Sequence, residues 1–350
     1  MLETWSTLKA VCCCIRMSTI SNTPDQATSK EQVRARGRKA RKPSDIPKAG
    51  WRDILGRVWS AVGKDNVSLI SAGLAMYALL AVFPSLAAAV SIYGLFASPA
   101  SVIQDMNAFA GILPPGAWDI FSKQLQDVAR HTGSTLTATA AIALLLSLWS
   151  ARTGMASLIT ATNVAYSQPE RRGFLHLIWL SLAFTAASVL AFLIMLLLGV
   201  AVPLMVKVLG VSAGTEWVVD IVRWVLLWLV AIVGLAVIYR YAPARKKPRW
   251  RWVTWGSVIA STFWLLGSVL FAIYVRTFGS YGRTYGALGG VIMLLMWFYV
   301  SSFTIVVGAE INAEMERQTR EDTTEGRQKP LGQRGAHAAD TIGPAANASK

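Results

Sequence analysis

Long apolar stretches without charge dominate the hydrophobic pattern of this chain. Four stretches contain no Asp, Glu, Lys or Arg and are 39, 34, 24 and 26 residues long. A helix needs about 20 apolar residues to cross the hydrocarbon core of a bilayer. The pattern predicts an all-α polytopic membrane protein, a bundle of six transmembrane helices, with spans at about 68–97, 136–163, 175–202, 217–240, 252–275 and 285–311.

The segment between the first two predicted spans has helical periodicity. Apolar residues recur at helical spacing over 102–113 and again over 118–128, and Pro114-Pro115-Gly116 separates the two stretches. This spacing predicts two short amphipathic helices at the outer surface. They would either pack on the bundle or act as a gate.

Polar segments flank the predicted spans at both ends of the chain. Residues 1–50 are polar and basic, and residues 316–350 are polar and poor in aromatic side chains. This composition predicts two disordered cytoplasmic tails around a membrane domain at 51–315. Within that domain, Trp51 to Lys64 is predicted as an amphipathic helix on the inner surface.

The net charge of +15 is distributed unevenly along the chain. Of the Lys and Arg residues, 27 fall in the predicted inside segments and 6 in the outside segments. This asymmetry follows the positive-inside rule and predicts that both termini are cytoplasmic. Because the rule accounts for the basicity, membrane lipids are the expected partners and a specific nucleic-acid partner is not.

Polar residues inside the predicted spans are the candidates for binding. Arg152 lies near the centre of the second span, where an arginine costs about 2.5–3.5 kcal/mol. It could bond to carbonyls freed by kinks at Pro84 or Pro203, bind an anionic substrate, or snorkel to the interface. Glu310, with Asn312 beside it, lies in the cytoplasmic half of the last span. We take Arg152, Glu310 and Asn312 as the candidate substrate-binding residues, although their predicted depths do not suit a direct Arg152–Glu310 pair.

Three glycines open the last span at intervals of four residues, namely Gly282, Gly286 and Gly290. Such a face allows two helix backbones to approach closely. It predicts a packing surface for a neighbouring helix, in a homo-oligomer or with an envelope protein.

Motifs for catalysis and for metal or cofactor binding are absent from the sequence. The three histidines are far apart, and no HExxH, CxxC, Walker A or dinucleotide-binding pattern occurs in a suitable context. We therefore predict no catalytic residue, no metal and no cofactor, and hence no enzyme activity.

Several short motifs, in order, resemble the YihY/virulence factor BrkB family of bacterial inner-membrane proteins. The resemblance covers roughly residues 55–315, and its motifs are 71–84 (SAGLAMYALLAVFP), 149–152 (WSAR), 239–243 (YRYAP), 285–286 (YG) and 308–312 (GAEIN). It implies six helices with both termini inside. Some members of the family are linked to serum resistance, and the family has carried a ribonuclease BN label.

The resemblance and the residues together favour transport as the function. We expect a permease or flippase-like protein for an envelope lipid or amphipathic anion. The alternative is a non-transporting scaffold that binds a partner. Ribonuclease activity is not expected, because no cluster of metal ligands is seen in the sequence.

Overall fold

A computed structural model describes residues 36–93, 136–198, 213–278 and 287–345. Their regular structure is helical, apart from one isolated bridge between Pro248 and Thr324. A short 3-10 turn at Pro43–Asp45 precedes the helices. The helices are α1 Lys48–Lys64, α2 Val67–Tyr93, α3 Leu136–Ala165, α4 Phe174–Leu196, α5 Ala213–Tyr241, α6 Trp250–Phe278, α7 Ala287–Glu316 and the short α8 His337–Asp340.

Four helical segments are long and apolar enough to cross a membrane, and they lie in α4 to α7: Phe174–Met195, Trp217–Tyr241, Trp250–Val275 and Leu288–Glu316. The pair Lys48–Lys64 and Val67–Val82, bent by 64°, meets the same criteria when taken together and would make a fifth. The described part of the chain therefore has four to five apolar helices that could span a membrane, by length and composition. Six spans stay a prediction, although α2 and α3 lie where the first two were expected.

Large apolar side chains cover the outside of the bundle, as lipid contact requires. Examples from three helices are Leu190, Val233 and Leu270, each more than half exposed. Because lipid is as apolar as these side chains, their exposure is ordinary for a membrane protein. The pattern supports burial of this surface in a bilayer.

The last long helix, α7, lies at the centre of the bundle. It contacts α1, α2, α3 and α6, while α2–α3, α3–α4, α4–α5 and α5–α6 form the neighbouring pairs. Gly308 of α7 makes one close approach possible, because a Cβ at this position would overlap the Tyr239 hydroxyl and the Ala260 methyl group. The centre of the bundle thus depends on a residue without a side chain.

The predicted kink and packing residues have different outcomes. Helix α2 continues past Pro84, and its kink remains a prediction. Gly290 lies buried near the start of α7. Pro203, Gly282 and Gly286 lie outside the described residues, as do both predicted outer helices.

The structure describes residues 36–50 and 317–345, which are parts of the two segments predicted as disordered tails. These segments pack together at one end of the bundle, where the Arg38 guanidinium donates to the Gly343 carbonyl (2.7 Å) and Arg334 to the Ala339 carbonyl (2.7 Å). The polar composition of these segments favours disorder, because composition does not show which carbonyl groups an arginine will contact. We call this end, made of residues 36–66, 163–173, 242–249 and 317–345, the basic end.

Candidate functional site

A cavity of about 230 Å³ lies at the basic end, between α1, α3, α7 and the C-terminal segment. Helix α1 provides the cationic side of the cavity, where Arg57 and Lys64 lie on the same helix face as Ser60. Tyr166, directly after α3, closes another side. The other polar residues that line the cavity are Asp65, Ser167, Glu310, Glu314, Arg317 and His337.

Glu310 is the most deeply buried carboxylate of this cavity. Its residue surface is 1% exposed, and its Oε1 atom has no hydrogen-bond partner. Transfer of an unpaired charge from water to an apolar interior is costly. The central position of α7 therefore places an unsatisfied acidic group inside a predicted span and at the edge of a polar cavity.

Glu314, one turn further along α7, is satisfied by two arginines. Arg57 donates Nε to its Oε2 at 2.5 Å, and Arg317 pairs with its Oε1. Arg57 also donates to the Gln318 side chain (2.8 Å) and to the Pro344 carbonyl (2.9 Å). The charge of Glu314 is thus compensated within the protein.

Two carboxylates of the cavity wall take no part in an ion pair among the described residues, namely Glu310 and Asp65. Partial burial raises the pKa of Asp65, and the neighbouring Lys64 opposes that shift. The wall therefore holds two carboxyl groups that form no ion pair with the described residues.

Asn312 does not join Glu310 in the cavity. Its Oδ1 accepts a hydrogen bond from the Gly256 amide (3.1 Å), and a Cβ at Gly256 would overlap the Asn312 amide group. Two residues along an α-helix differ by about 200° in direction, so Asn312 contacts α6.

Arg152 lies apart from both of these residues. It occupies the middle of α3, where its guanidinium sits 5.0 Å from the ring centroid of the exposed Trp149. Ala165, at the cavity, is 13 residues further along the same helix, about 20 Å at the ordinary helical rise. The structure therefore places the three predicted binding residues at three different sites.

The sequence did not reveal a buried ion pair beside the cavity. Arg245 and Glu316 have fully buried side chains and form two hydrogen bonds, of 3.0 and 2.7 Å. Thr323 donates to the same carboxylate at 2.8 Å, and the guanidinium lies 4.1 Å from the Tyr166 ring centroid. Burial lowers the pKa of Arg245, but the charge of Glu316, the nearby Tyr166 and the hydrogen bonds to Glu316 together outweigh burial, so the net shift of the pKa is upward.

A second polar contact joins two loops of the basic end. Asn163 donates to Glu170 (2.8 Å) and accepts from the Ala244 amide (2.7 Å), while Arg172 donates to both Glu170 and the Ala242 carbonyl. Although burial opposes the charge, these hydrogen bonds and Arg172 lower the pKa of Glu170 to about 2. Sequence spacing could have suggested the Glu170–Arg172 pair but not its partners in the 242–249 loop.

Comparison with known proteins decides the family. The model of the virulence factor BrkB family matches residues 58–332. The chain belongs to this family. Ribonuclease-like protein YfkH of Bacillus subtilis is 32% identical over 261 residues, which are 71% of this chain and 90% of that protein.

Other BrkB relatives carry only a membrane-protein name. A UPF0761 membrane protein of Alteromonas mediterranea is 26% identical over 269 residues, covering 75% of this chain and 88% of its own length. One of Cronobacter sakazakii is 23% identical over 273 residues, covering 77% and 89%. No solved structure matches.

The BrkB match includes most of the candidate site but not all of it. Glu310, Arg152 and the Arg245–Glu316 pair fall within the matched residues, whereas Arg57, His337 and Pro344 lie outside them. No group of three or more His, Cys, Asp and Glu side chains that could hold a metal occurs in the described part of the chain.

Proposed function

We propose that this BrkB family protein transports an envelope lipid across the bacterial inner membrane, as a permease or a flippase does. The observation that supports this most is the unpaired Glu310 carboxylate, which lies in the apolar helix Leu288–Glu316 and lines a polar cavity. Ionisable residues within membrane spans are costly and usually mark a substrate or ion pathway. We place the basic end on the cytoplasmic side, as the positive-inside rule predicts.

Arg152 is the second group that supports transport in this proposal. It lies about 20 Å from the cavity along α3, and its Nε has no partner. An amphipathic substrate that crosses the bilayer must pass this depth. Arg152 would then contact the negative group of the substrate as the substrate crosses the bilayer. Asn312 would only hold α7 against α6.

Lipid movement in proteoliposomes tests the proposal. Acyl-labelled fluorescent phospholipids with anionic and zwitterionic headgroups are followed as they become accessible to an external quencher. We expect wild type to accelerate movement, and Glu310→Gln and Arg152→Ala to slow it by about tenfold, equal to about 1.4 kcal/mol in the barrier.

Matched variants control for general effects of charge. Glu321→Gln and Arg171→Ala change the same residue types in loops of the basic end and should leave the rate unchanged. Movement no faster than in protein-free liposomes, with all proteins folded by thermal unfolding, would contradict the proposal. That result would favour the scaffold, in a homo-oligomer or with an envelope protein.

The name of the Bacillus relative supports a second candidate function, which is RNA cleavage. Purified protein is incubated with structured RNA, with and without EDTA. Cleavage that Glu310→Gln abolishes would favour this candidate over transport. We expect none, because the described residues contain no cluster of metal ligands.

A further inference from the structure

We propose that the cavity at the basic end binds a zwitterionic phospholipid headgroup that carries a primary ammonium. The ammonium would lie against Glu310 and Asp65, and the phosphate against Lys64 and Arg317. This inference rests on the proposed function, because it names the substrate class of the transport. It follows from the order of charges from the bottom of the cavity to its mouth.

Two carboxyl groups line the cavity, and Glu310 is the more deeply buried of them. Glu310 is 1% exposed, its Oε1 has no hydrogen-bond partner, and neither Glu310 nor Asp65 has an ion-pair partner among the described residues. The Tyr166 side chain, which is 1% exposed, lines the same cavity. A bound cation with several N–H donors would satisfy these oxygens together.

Positive charge lies nearer the mouth of the cavity. Lys64 is exposed at the end of α1, and the Arg317 side chain remains 27% exposed. Arg317 uses Nη1 for Glu314, whereas its Nε has no partner. A ligand that enters with its cation first would bring its phosphate to these two groups.

The chemistry of the wall discriminates among common headgroups. A primary ammonium has three N–H donors for Glu310, Asp65 and the Tyr166 hydroxyl, whereas a quaternary ammonium has none. An anionic phosphoglycerol headgroup brings no cation and would leave Glu310 unpaired. The volume of about 230 Å³ lies below the ~300–1,000 Å³ of sites for drug-sized ligands and suits a small headgroup.

The surroundings of the mouth favour a lipid over a free metabolite. On α1, Trp59 and Leu55 are 84% and 56% exposed, next to the cavity-lining Ser60. Leu69 at the start of α2 is also exposed. A helix with exposed Trp and Leu beside basic residues lies in the membrane interface, so acyl chains could remain in the bilayer while the headgroup enters.

Lipid binding to the purified full-length protein tests the inference separately from transport. Native mass spectrometry compares phosphatidylethanolamine, phosphatidylcholine and phosphatidylglycerol with identical acyl chains. We expect wild type to bind phosphatidylethanolamine about tenfold more tightly than either other lipid, and Glu310→Gln to lose this preference. Glu321→Gln, the matched control, should keep it.

A second variant keeps the test valid if Glu310→Gln folds poorly. Ser60 is exposed at the cavity, so Ser60→Phe should fill the mouth without disturbing the core, and it should also abolish the preference. Equal binding of the three lipids to wild type, or a preference that survives in both variants, would overturn the inference.

Soluble O-phosphoethanolamine distinguishes the two sources of the same headgroup. If it binds wild type while the three lipids bind equally, the ligand is a free aminophosphate and the lipid assignment is overturned. If the lipid preference holds but proteoliposomes show no lipid movement, the binding site stands and the proposed transport function fails.

Discussion

The basic end and the middle of the bundle each hold a conspicuous arginine, but in opposite settings. At the basic end, the Arg245 side chain is fully buried, forms two hydrogen bonds with Glu316 and lies over the Tyr166 ring. In the middle of α3, the Arg152 guanidinium lies over the Trp149 ring, and its Nε has no hydrogen-bond partner among the described residues. Within the part of the chain that the structure describes, the charge of Arg245 is compensated and that of Arg152 is not.

The difference indicates which arginine maintains the fold and which one is available for a ligand. Removing one partner of a buried ion pair leaves an uncompensated charge in a low dielectric, which is strongly destabilising. Removing a charge that has no partner relieves a cost instead. We therefore expect stability to depend on Arg245 and activity to depend on Arg152.

The largest effect should come from the Arg245–Glu316 pair. Arg245→Met leaves the Glu316 carboxylate buried without its cation, and we expect a loss of about 3–5 kcal/mol in the free energy of unfolding. Thermal unfolding of the detergent-purified protein measures this.

The double variant Arg245→Met/Glu316→Met should recover most of the loss, because no charge then remains buried. Lys246→Met, which removes the adjacent loop cation without breaking an ion pair among the described residues, should be nearly neutral. A double variant as unstable as the single one would show that the pair does not act through charge compensation.

A second effect should separate the packed centre from the lipid-facing surface. Gly308→Ala puts a methyl group against the Tyr239 hydroxyl and the Ala260 methyl, so we expect about 1–3 kcal/mol of destabilisation from overpacking. Gly234→Ala in α5 meets no atom within 4 Å and should stabilise its helix slightly. Opposite signs in thermal unfolding would confirm this contrast, and equal signs would contradict it.

These contrasts also show what the sequence could and could not reveal. Stretches without charge located α4, α6 and α7 correctly, because a bilayer excludes charge over a fixed length. The same reasoning identified Glu310 as an acid inside a span. It could not show that Glu310 lines a cavity, because residues from α1, Tyr166 and the C-terminal segment come together only in the folded chain.

The tails illustrate a different limit of sequence reasoning. Arg38 and Gly343 are 305 residues apart, and their hydrogen bond orders two segments whose composition is typical of disorder. Arg152 and Glu310 were grouped by their chemistry, although their predicted depths in the membrane already argued against a direct pair. Composition does not show which residues, distant in sequence, an arginine will contact in the folded chain.

A smaller, pH-dependent effect should come from Glu170, which joins two loops of the basic end. Its pKa is lowered to about 2, so its stabilising contribution is present above the unfolded pKa of about 4.3 and is lost as the pH falls through about 2. Glu170→Gln should therefore lower Tm near neutral pH, and the difference from wild type should shrink as the pH falls below about 4.

Arg172→Gln provides the companion variant for that measurement, because it removes the main cationic partner of Glu170. Its difference from wild type should shrink over the same pH range. A difference in Tm that stays constant or grows towards low pH would show that the Glu170 charge does not stabilise the loops.

The smallest effect on stability should come from Arg152, and it tests most directly whether Arg152 differs from Arg245 in its role. A cation over an exposed ring contributes about 0.5–1 kcal/mol, which the cost of an unpaired charge in the membrane offsets. Arg152→Met keeps the length of the side chain, so thermal unfolding should find it as stable as wild type or more so. In proteoliposomes the same variant should slow lipid movement, while Arg152→Lys should keep part of the rate, because the positive charge remains. A strongly destabilised Arg152→Met would instead place Arg152 with Arg245 as a residue that the fold requires, and the distinction between the two regions would fail.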